Sequence, residues 1–140
     1  MPRRRPVVGL RLIAHIDGGR TGDGELYVGV TMSDLDTGGL VAEHGIGIGQ
    51  GTNNEAEYSG LLLAIYTAVE LGADELQVRS DSKLVVNQMN GSWAIHKNHL
   101  KGYADEAHRA KSPLRAFSIK WVPREQNEEA DRLSRVARAK

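Results

Sequence analysis

The spacing of apolar and polar residues along the chain predicts five strands and four helices in the order βββαβααβα. The first three segments alternate between apolar and polar positions, as half-buried strands do, and they cover Gly9 to Asp17, Glu25 to Ser33 and Leu40 to Ile48. The Asp- and Gly-rich residues 34–39 predict a turn between the second and third strands. We therefore expect the fold to start with three antiparallel strands.

The remainder of the chain switches between helical and extended patterns. Helices are predicted over residues 54–71, 82–90, 100–111 and 127–139, and two further strands over residues 75–80 and 117–122. Strand–helix–strand connections are right-handed and make the joined strands parallel. The predicted fold class is therefore α/β, with one mixed sheet flanked by helices in a single domain over residues 1–140.

The longest predicted helix carries an acid on its apolar face. At 100° per residue, Leu61, Ala64, Ala68 and Leu71 all lie within about 40° of Glu57. An ionised carboxylate that points at a core is costly unless a partner compensates its charge. Glu57 therefore either caps a local group or shares a cation with other acids.

Composition and charge exclude several classes of protein. Eighteen basic and eighteen acidic side chains cancel, which excludes a strongly cationic nucleic-acid binder but not a local basic groove. The absence of cysteine excludes disulfides and thiolate metal sites and suits a cytoplasmic location. No apolar run approaches membrane-spanning length, and no surface heptads indicate an oligomer, so we expect a monomer without membrane association.

Residues 1–8 contain the triplet Arg3-Arg4-Arg5 and no apolar core of a signal peptide. We expect this segment to be a flexible basic tail. The alternative is an arm that contacts phosphate groups.

Three further acids lie close to predicted strands. Asp17 and Asp81 each follow a strand directly, so they emerge at the same sheet edge if those strands are adjacent and parallel. Glu57 can reach this edge, and Asp131 lies in the first or second turn of the last helix. Converging acids repel one another unless divalent cations lie between them. Oxygen ligands without cysteine favour Mg²⁺ or Mn²⁺.

Each of these acids except Glu57 also has a purely local interpretation. Asp17 can close a turn with Gly18, and Asp81 can cap the short helix that follows it. Asp131 can be a solvated acid on a polar stripe of the last helix. The other members of that stripe are Asn127, Ser134 and Arg138.

Four segments of the chain resemble the signature blocks of type 1 ribonuclease H. They are residues 15–19, 52–58, 80–85 and 127–131, and they occur in the family order with family-like spacing over nearly the whole chain. The resemblance implies a ribonuclease H-like (retroviral-integrase-like) five-stranded mixed sheet with strand order 3-2-1-4-5. It also implies hydrolysis of the RNA strand of RNA–DNA hybrids, which leaves 5′-phosphate and 3′-hydroxyl ends.

The same resemblance assigns the four acids to two Mg²⁺ ions, for which Mn²⁺ can substitute. Asp17 would bridge both ions, and Asp131 would complete the site of the ion that activates the attacking water. Glu57 and Asp81 would hold the ion on the leaving-group side. Two cations about 4 Å apart stabilise both oxygens of an in-line displacement at phosphorus.

The resemblance further implies that Gly18, Asn53 and Asn54 face the minor groove of the hybrid near the scissile phosphate. A side chain there can sense the 2′-hydroxyl, which is both donor and acceptor. From the local pattern alone, Asn53 or Asn54 can equally be a helix N-cap. Arg124 lies where many family members have a histidine, and it is either a phosphate contact or a plain surface arginine.

The basic, tryptophan-rich protrusion of many family members is much reduced here. Its remaining residues are Trp93, His96, Lys97, His99 and Lys101. We therefore expect modest, salt-dependent affinity for hybrids and surface positions for the histidines of this region and for His108. Two alternatives remain: a catalytically weak module that binds hybrid or double-stranded RNA, and a different metal-dependent nuclease on the same scaffold.

Overall fold

The structure is a computed structural model that describes residues 9–95 and 98–138. Three predictions fall outside these residues: the tail over residues 1–8, the surface position of His96, and the end of the last helix at Ala139. None of the helices that the structure describes is long and apolar enough to cross a membrane.

The described elements follow the predicted order. The strands are β1 (Arg11–Arg20), β2 (Glu25–Asp34), β3 (Leu40–Gln50), β4 (Glu75–Ser80) and β5 (Ala116–Trp121). The helices are α1 (Asn53–Glu70), α2 (Lys83–Met89), α3 (Asn98–Ala110) and α4 (Glu128–Arg138), with a 3₁₀ turn at Arg124–Gln126 before α4.

The five strands form one mixed sheet in the order β3-β2-β1-β4-β5. The pairs β1–β2 and β2–β3 are antiparallel, whereas β4 pairs in parallel with both β1 and β5. This arrangement confirms the predicted fold class and strand order. The parallel pair β1–β4 ends at Ile16 and Ser80, and that shared end determines where the site lies.

The two faces of the sheet are covered by different helices. On one face, Leu12, Ala14 and Ile16 of β1 are fully buried in the core cluster that also contains Tyr58 and Leu61 of α1. Because successive residues of a strand point to opposite faces, the residues between them face the other side. That side is covered in part by α4.

Two glycines let α4 approach the sheet closely. A Cβ at Gly29 of β2 would overlap the carbonyl oxygen of Ala130, and one at Gly45 of β3 would overlap that of Leu133. The helix therefore lies directly on the strand backbones. As predicted, its apolar side is buried and comprises Ala130, Leu133 and Ala137.

The prediction that the first strand ends at Asp17 is wrong. Pairing with β2 continues through Arg20, which lies opposite Leu26, so the glycines after Asp17 belong to the strand. The interpretation of Asp17 as a turn residue is therefore also wrong. Asp17 is nevertheless the first residue beyond the β1–β4 pairing, and Asp81 is the corresponding residue after β4.

Helix α1 differs from the prediction in two respects. Its N-cap is Thr52, whose side chain accepts a hydrogen bond from the backbone of Glu55 in a capping box, so neither Asn53 nor Asn54 is the cap. Leu71, predicted on the buried face, is 46 % exposed because it caps the helix beyond the last turn that packs on the sheet. Glu57 is buried, as the helical pattern predicts.

Candidate active site

Three carboxylates meet where the pairing of β1 with β4 ends. Asp17 and Asp81 follow the last paired residues of these parallel strands, and Glu57 reaches them from the start of the second turn of α1. Each side chain offers one oxygen, and the three oxygens lie within 4.8 Å of one another. The structure therefore brings together three of the four acids that the sequence singled out.

Glu57 is oriented by the backbone of β1. The N–H of Gly18 donates a hydrogen bond to Oε1 of Glu57 at 3.2 Å. A Cβ at position 18 would lie 2.5 Å from the carbonyl carbon of Ala56, so only glycine allows α1 to approach this closely. The other oxygen of Glu57, Oε2, is buried without a hydrogen-bond partner among the described residues. A buried carboxylate oxygen in that state is costly unless a cation binds it.

Asn127, just before α4, connects three parts of the site. It is 1 % exposed, and its Nδ2 donates to the carbonyl oxygen of Ile16 at 2.7 Å. Its side chain also lies beside Asp81 and lowers the pKa of that carboxyl. The sequence analysis placed Asn127 only on a polar stripe and missed this role, although its position in the block 127–131 was an available signal.

Asp131 lies near the three carboxylates but outside their group. It lines the same cavity of about 420 Å³ as Asp17. Its Oδ2 forms an ion pair with Nε of Arg135 at 3.1 Å, one turn further along α4. Asp131 lies in the first turn of α4, where the helix dipole favours an acid, and its side chain is 24 % exposed and lines this cavity.

The electrostatics of the site reflect the crowding of like charges. Burial, together with the nearby carboxylates of Asp81 and Asp131, raises the pKa of Asp17 to about 7 against the opposing charge of Arg124. Burial, followed by the charges of Asp17 and Asp81, raises the pKa of Glu57 well above its ordinary value.

The pKa of Asp81 is also raised, but more groups oppose the increase than at Asp17 or Glu57. Burial raises the pKa of Asp81, while the charge of Arg124 and the neighbouring side-chain amide of Asn127 lower it. Crowded carboxylates with raised pKa values are typical of a site for a hard divalent cation when no cation is bound. The donor set fits Mg²⁺ or Mn²⁺, since all the converging ligand atoms are carboxylate oxygens.

The residues predicted to bind substrate fall into two neighbouring cavities. Gly18, Asn53 and Arg124 line the acidic cavity together with residues that the sequence analysis did not select, namely Gly19, Arg20, Ser134 and Arg135. Asn54 instead lines a larger cavity of about 530 Å³ with Trp93. The N-terminus of α1 therefore separates the two cavities, and the exposed member of the asparagine pair is Asn53.

A mixed sheet in this strand order, with acids directly after the paired residues of β1 and β4, defines a ribonuclease H-like protein. The family described as "Reverse transcriptase-like" matches residues 18–137. Ribonuclease HI of Halobacterium salinarum is 38 % identical over 134 residues, which are 95 % of this chain and 67 % of that protein. The chain therefore belongs to the type 1 ribonuclease H family, as the four sequence blocks predicted.

Solved structures agree with this assignment. The crystal structure of RNase H1 from Halobacterium salinarum matches with a TM-score of 0.88 and 37 % identity, covering 92 % of this chain and 98 % of that one. LC11-RNase H1 in complex with an RNA/DNA hybrid matches with a TM-score of 0.78 and 30 % identity, covering 91 % and 96 %.

Other relatives are longer proteins. The "Bifunctional protein Rv2228c" of Mycobacterium tuberculosis is 41 % identical over 130 residues, which are 91 % of this chain. The chain spans about a third of that protein, 35 % of its length.

Proposed function

We propose that the protein is a metal-dependent endoribonuclease that hydrolyses the RNA strand of RNA–DNA hybrids. The observation that carries this proposal is the convergence of Asp17, Glu57 and Asp81 within 4.8 Å. Within the described part of the chain, the buried Oε2 of Glu57 has no hydrogen-bond partner. Membership of the type 1 ribonuclease H family and the hybrid bound to LC11-RNase H1 support the choice of substrate.

The acids divide between two cation positions. Asp17, Glu57 and Asp81 would hold one Mg²⁺ or Mn²⁺ ion, and Asp17 with Asp131 would hold the second. Bound there, the two ions would stabilise the attacking and the leaving oxygen at phosphorus. The expected products carry 5′-phosphate and 3′-hydroxyl ends.

The chain's own residues would bind and orient the hybrid around this centre. Arg124 is exposed at the rim of the acidic cavity and supplies positive charge for a phosphate. Asn53 presents an amide beside the carboxylates, where it can test for a 2′-hydroxyl.

The larger cavity of about 530 Å³ lies on the other side of the α1 N-terminus, and we expect it to bind the second nucleic-acid strand of the hybrid. Asn54 lines it, and Trp93, which is 48 % exposed, offers an aromatic surface for sugars or bases. Since the net charge of the chain is zero, we expect the affinity for hybrid to be modest. The part of it that comes from contacts between basic side chains and phosphates should fall as salt rises. We place this activity in a monomer in the cytoplasm, which the absence of cysteine supports.

A module that binds hybrids and cleaves them only weakly is the second candidate. The ion pair between Asp131 and Arg135 favours it, because it occupies one oxygen of the acid needed for the second cation. Binding without turnover in either Mg²⁺ or Mn²⁺ would distinguish this candidate from the nuclease.

The test is cleavage of a labelled hybrid in Mg²⁺, compared with double-stranded RNA, single strands and double-stranded DNA. We expect cleavage of the RNA strand of the hybrid alone, and a loss of at least about a hundredfold in Asp17→Asn. The matched control is Asp105→Asn, which removes an exposed charge from α3 and should leave the rate unchanged. Equal rates for Asp17→Asn and wild type would refute the proposed function.

A further inference from the structure

Trp121, the last residue of β5, forms a side-chain hydrogen bond with the main chain of Asp81, one of the acids of the site. Nε1 of Trp121 donates a hydrogen bond to the carbonyl oxygen of Asp81 at 3.2 Å. Trp121 lies opposite Ser80 in the β4–β5 pairing, so its indole extends just past the end of β4. Trp121 is 44 % exposed, so its indole contributes little to the hydrophobic core. Its hydrogen bond to Asp81 therefore indicates a role other than core packing.

The indole of Trp121 also contacts a cationic side chain from the segment just after Asp81. Nζ of Lys83, the first residue of α2, lies 4.8 Å from the centroid of the Trp121 ring, within the range of a cation–π contact. Lys83 is two residues beyond Asp81. The indole, the ammonium group and the backbone from Asp81 to Lys83 therefore form a closed loop around the start of α2.

Additional hydrogen bonds fix the segments that meet here. The N–H of Val122 donates to the carbonyl oxygen of Ser80 at 2.9 Å, and the N–H of Ser82 donates to Oγ of the buried Ser80 at 3.0 Å. The Asp81 peptide is thus held on one side by β4 and on the other by Trp121. Asp81 is only half-buried, so packing alone does not fix the direction of its carboxylate.

We propose that Trp121 is a positioning residue, whose indole N–H fixes the Asp81 main chain so that the Asp81 carboxylate converges with Asp17 and Glu57. This inference rests on the proposed metal site and adds a residue to it that does not touch the metal or the substrate. Groups that orient metal ligands contribute strongly to metal affinity. Lys83 supports the same arrangement by holding the indole ring.

The test is the affinity of the protein for Mn²⁺, measured by titration calorimetry in the absence of nucleic acid. Trp121→Phe keeps an aromatic ring under Lys83 but removes the donor, and we expect its Mn²⁺ dissociation constant to rise about tenfold. In hybrid cleavage, the Mg²⁺ concentration for half-maximal rate should rise in parallel, while the KM for the hybrid stays within about twofold of wild type. A purely structural tryptophan would lower the melting temperature without changing either metal constant.

The control is Tyr66→Phe, which removes the hydroxyl that donates to Glu106 at 2.7 Å on an exposed side of α1. Its metal affinity should equal that of wild type. A second variant, Lys83→Met, keeps the indole donor and removes the cation from the ring. We expect it to weaken Mn²⁺ binding about two- to fivefold.

The outcomes separate this inference from the proposed function. Absence of both Mn²⁺ binding and hybrid cleavage in wild type would refute the function itself. Wild-type binding and cleavage combined with an unchanged Mn²⁺ constant in Trp121→Phe would overturn the positioning role. If Trp121→Phe does not fold, an unchanged constant in Lys83→Met overturns it, and a weakened constant in either variant supports it.

Discussion

The backbone N–H of Gly18 and the Oε1 atom of Glu57 are 3.2 Å apart and joined by a hydrogen bond. This contact ties α1 to β1 beside Asp17, and it exists because position 18 carries no side chain. A Cβ at Gly18 would lie 2.5 Å from the carbonyl carbon of Ala56, in the backbone of the helix. The position of Glu57 in the site therefore depends on the glycine at position 18 of β1.

The first prediction is that Gly18→Ala both destabilises the protein and inactivates it. The helix must move away from the strand, which typically costs about 1–3 kcal/mol, and Glu57 moves with it. Urea unfolding and hybrid cleavage measure the two effects. Gly22→Ala is the control, because a Cβ at position 22 meets nothing within 4 Å. Wild-type stability in Gly18→Ala would show that the close approach of α1 is unimportant.

The second prediction concerns stability and pH in the absence of metal. Folding raises the pKa of Asp17 from 3.8 to about 7. Because protonated Asp17 is favoured in the folded state, its protonation stabilises the fold fully below about pH 4. That contribution is lost as the pH rises through about 7, where folded Asp17 ionises. In EDTA, the melting temperature of wild type should therefore fall by several degrees more between pH 5 and pH 8 than that of Asp17→Asn.

Added Mn²⁺ should reverse this effect, since a cation replaces the proton between the carboxylates. The rise in melting temperature on adding Mn²⁺ should be larger at pH 8 than at pH 5. Asp105→Asn, an exposed change on α3, should keep the wild-type dependence. An identical pH dependence in wild type and Asp17→Asn would mean that Asp17 ionises as freely as a surface acid.

The third prediction assigns a structural and a catalytic effect to Asn127. Asn127→Ala leaves the carbonyl oxygen of Ile16 without its buried donor, which costs about 1–3 kcal/mol. It also removes the amide that lowers the pKa of Asp81 and should reduce kcat. Gln126→Ala, the exposed neighbouring residue, should leave unfolding and cleavage unchanged. Equal unfolding free energies for the two variants would contradict this role.

The fourth prediction concerns Arg124 at the rim of the site. If Arg124 contacts a phosphate, Arg124→Ala should raise the KM for hybrid severalfold and reduce the slope of log affinity against log salt by about 1. Arg124 also lowers the pKa of Asp17 and Asp81, so its loss should move the acid limb of the activity profile to higher pH. Arg109→Ala on α3 serves as the control, and equal salt slopes in the two variants would count against a phosphate contact.

The sequence predicted those features of the site that depend on local periodicity. The buried position of Glu57 follows from the helical pattern, and the common edge for Asp17 and Asp81 follows from the strand–helix–strand connection. The end of β1 was misplaced because Gly18 and Gly19 look like a strand end. Pairing with β2, which lies further along the chain, keeps them in the strand.

Features that depend on contacts between distant segments could not be read from the pattern. The cap of α1 is an exception, because Thr52 and Glu55 form a capping box only three residues apart, and this local spacing already favours Thr52 over Asn53 and Asn54. Asn127 looks like a surface residue on a helical wheel, yet its amide reaches the end of β1. The indole of Trp121 meets Asp81 across 40 residues, a separation at which neither periodicity nor spacing carries information.

The central claim is that crowded carboxylates at the end of the β1–β4 pairing form a site for divalent cations. The most direct measurement is an anomalous difference map from crystals soaked in Mn²⁺ at pH 8. We predict a strong peak among the carboxylates of Asp17, Glu57 and Asp81, and a second peak between Asp17 and Asp131 when hybrid is bound. A map without a peak among the first three carboxylates would contradict the account.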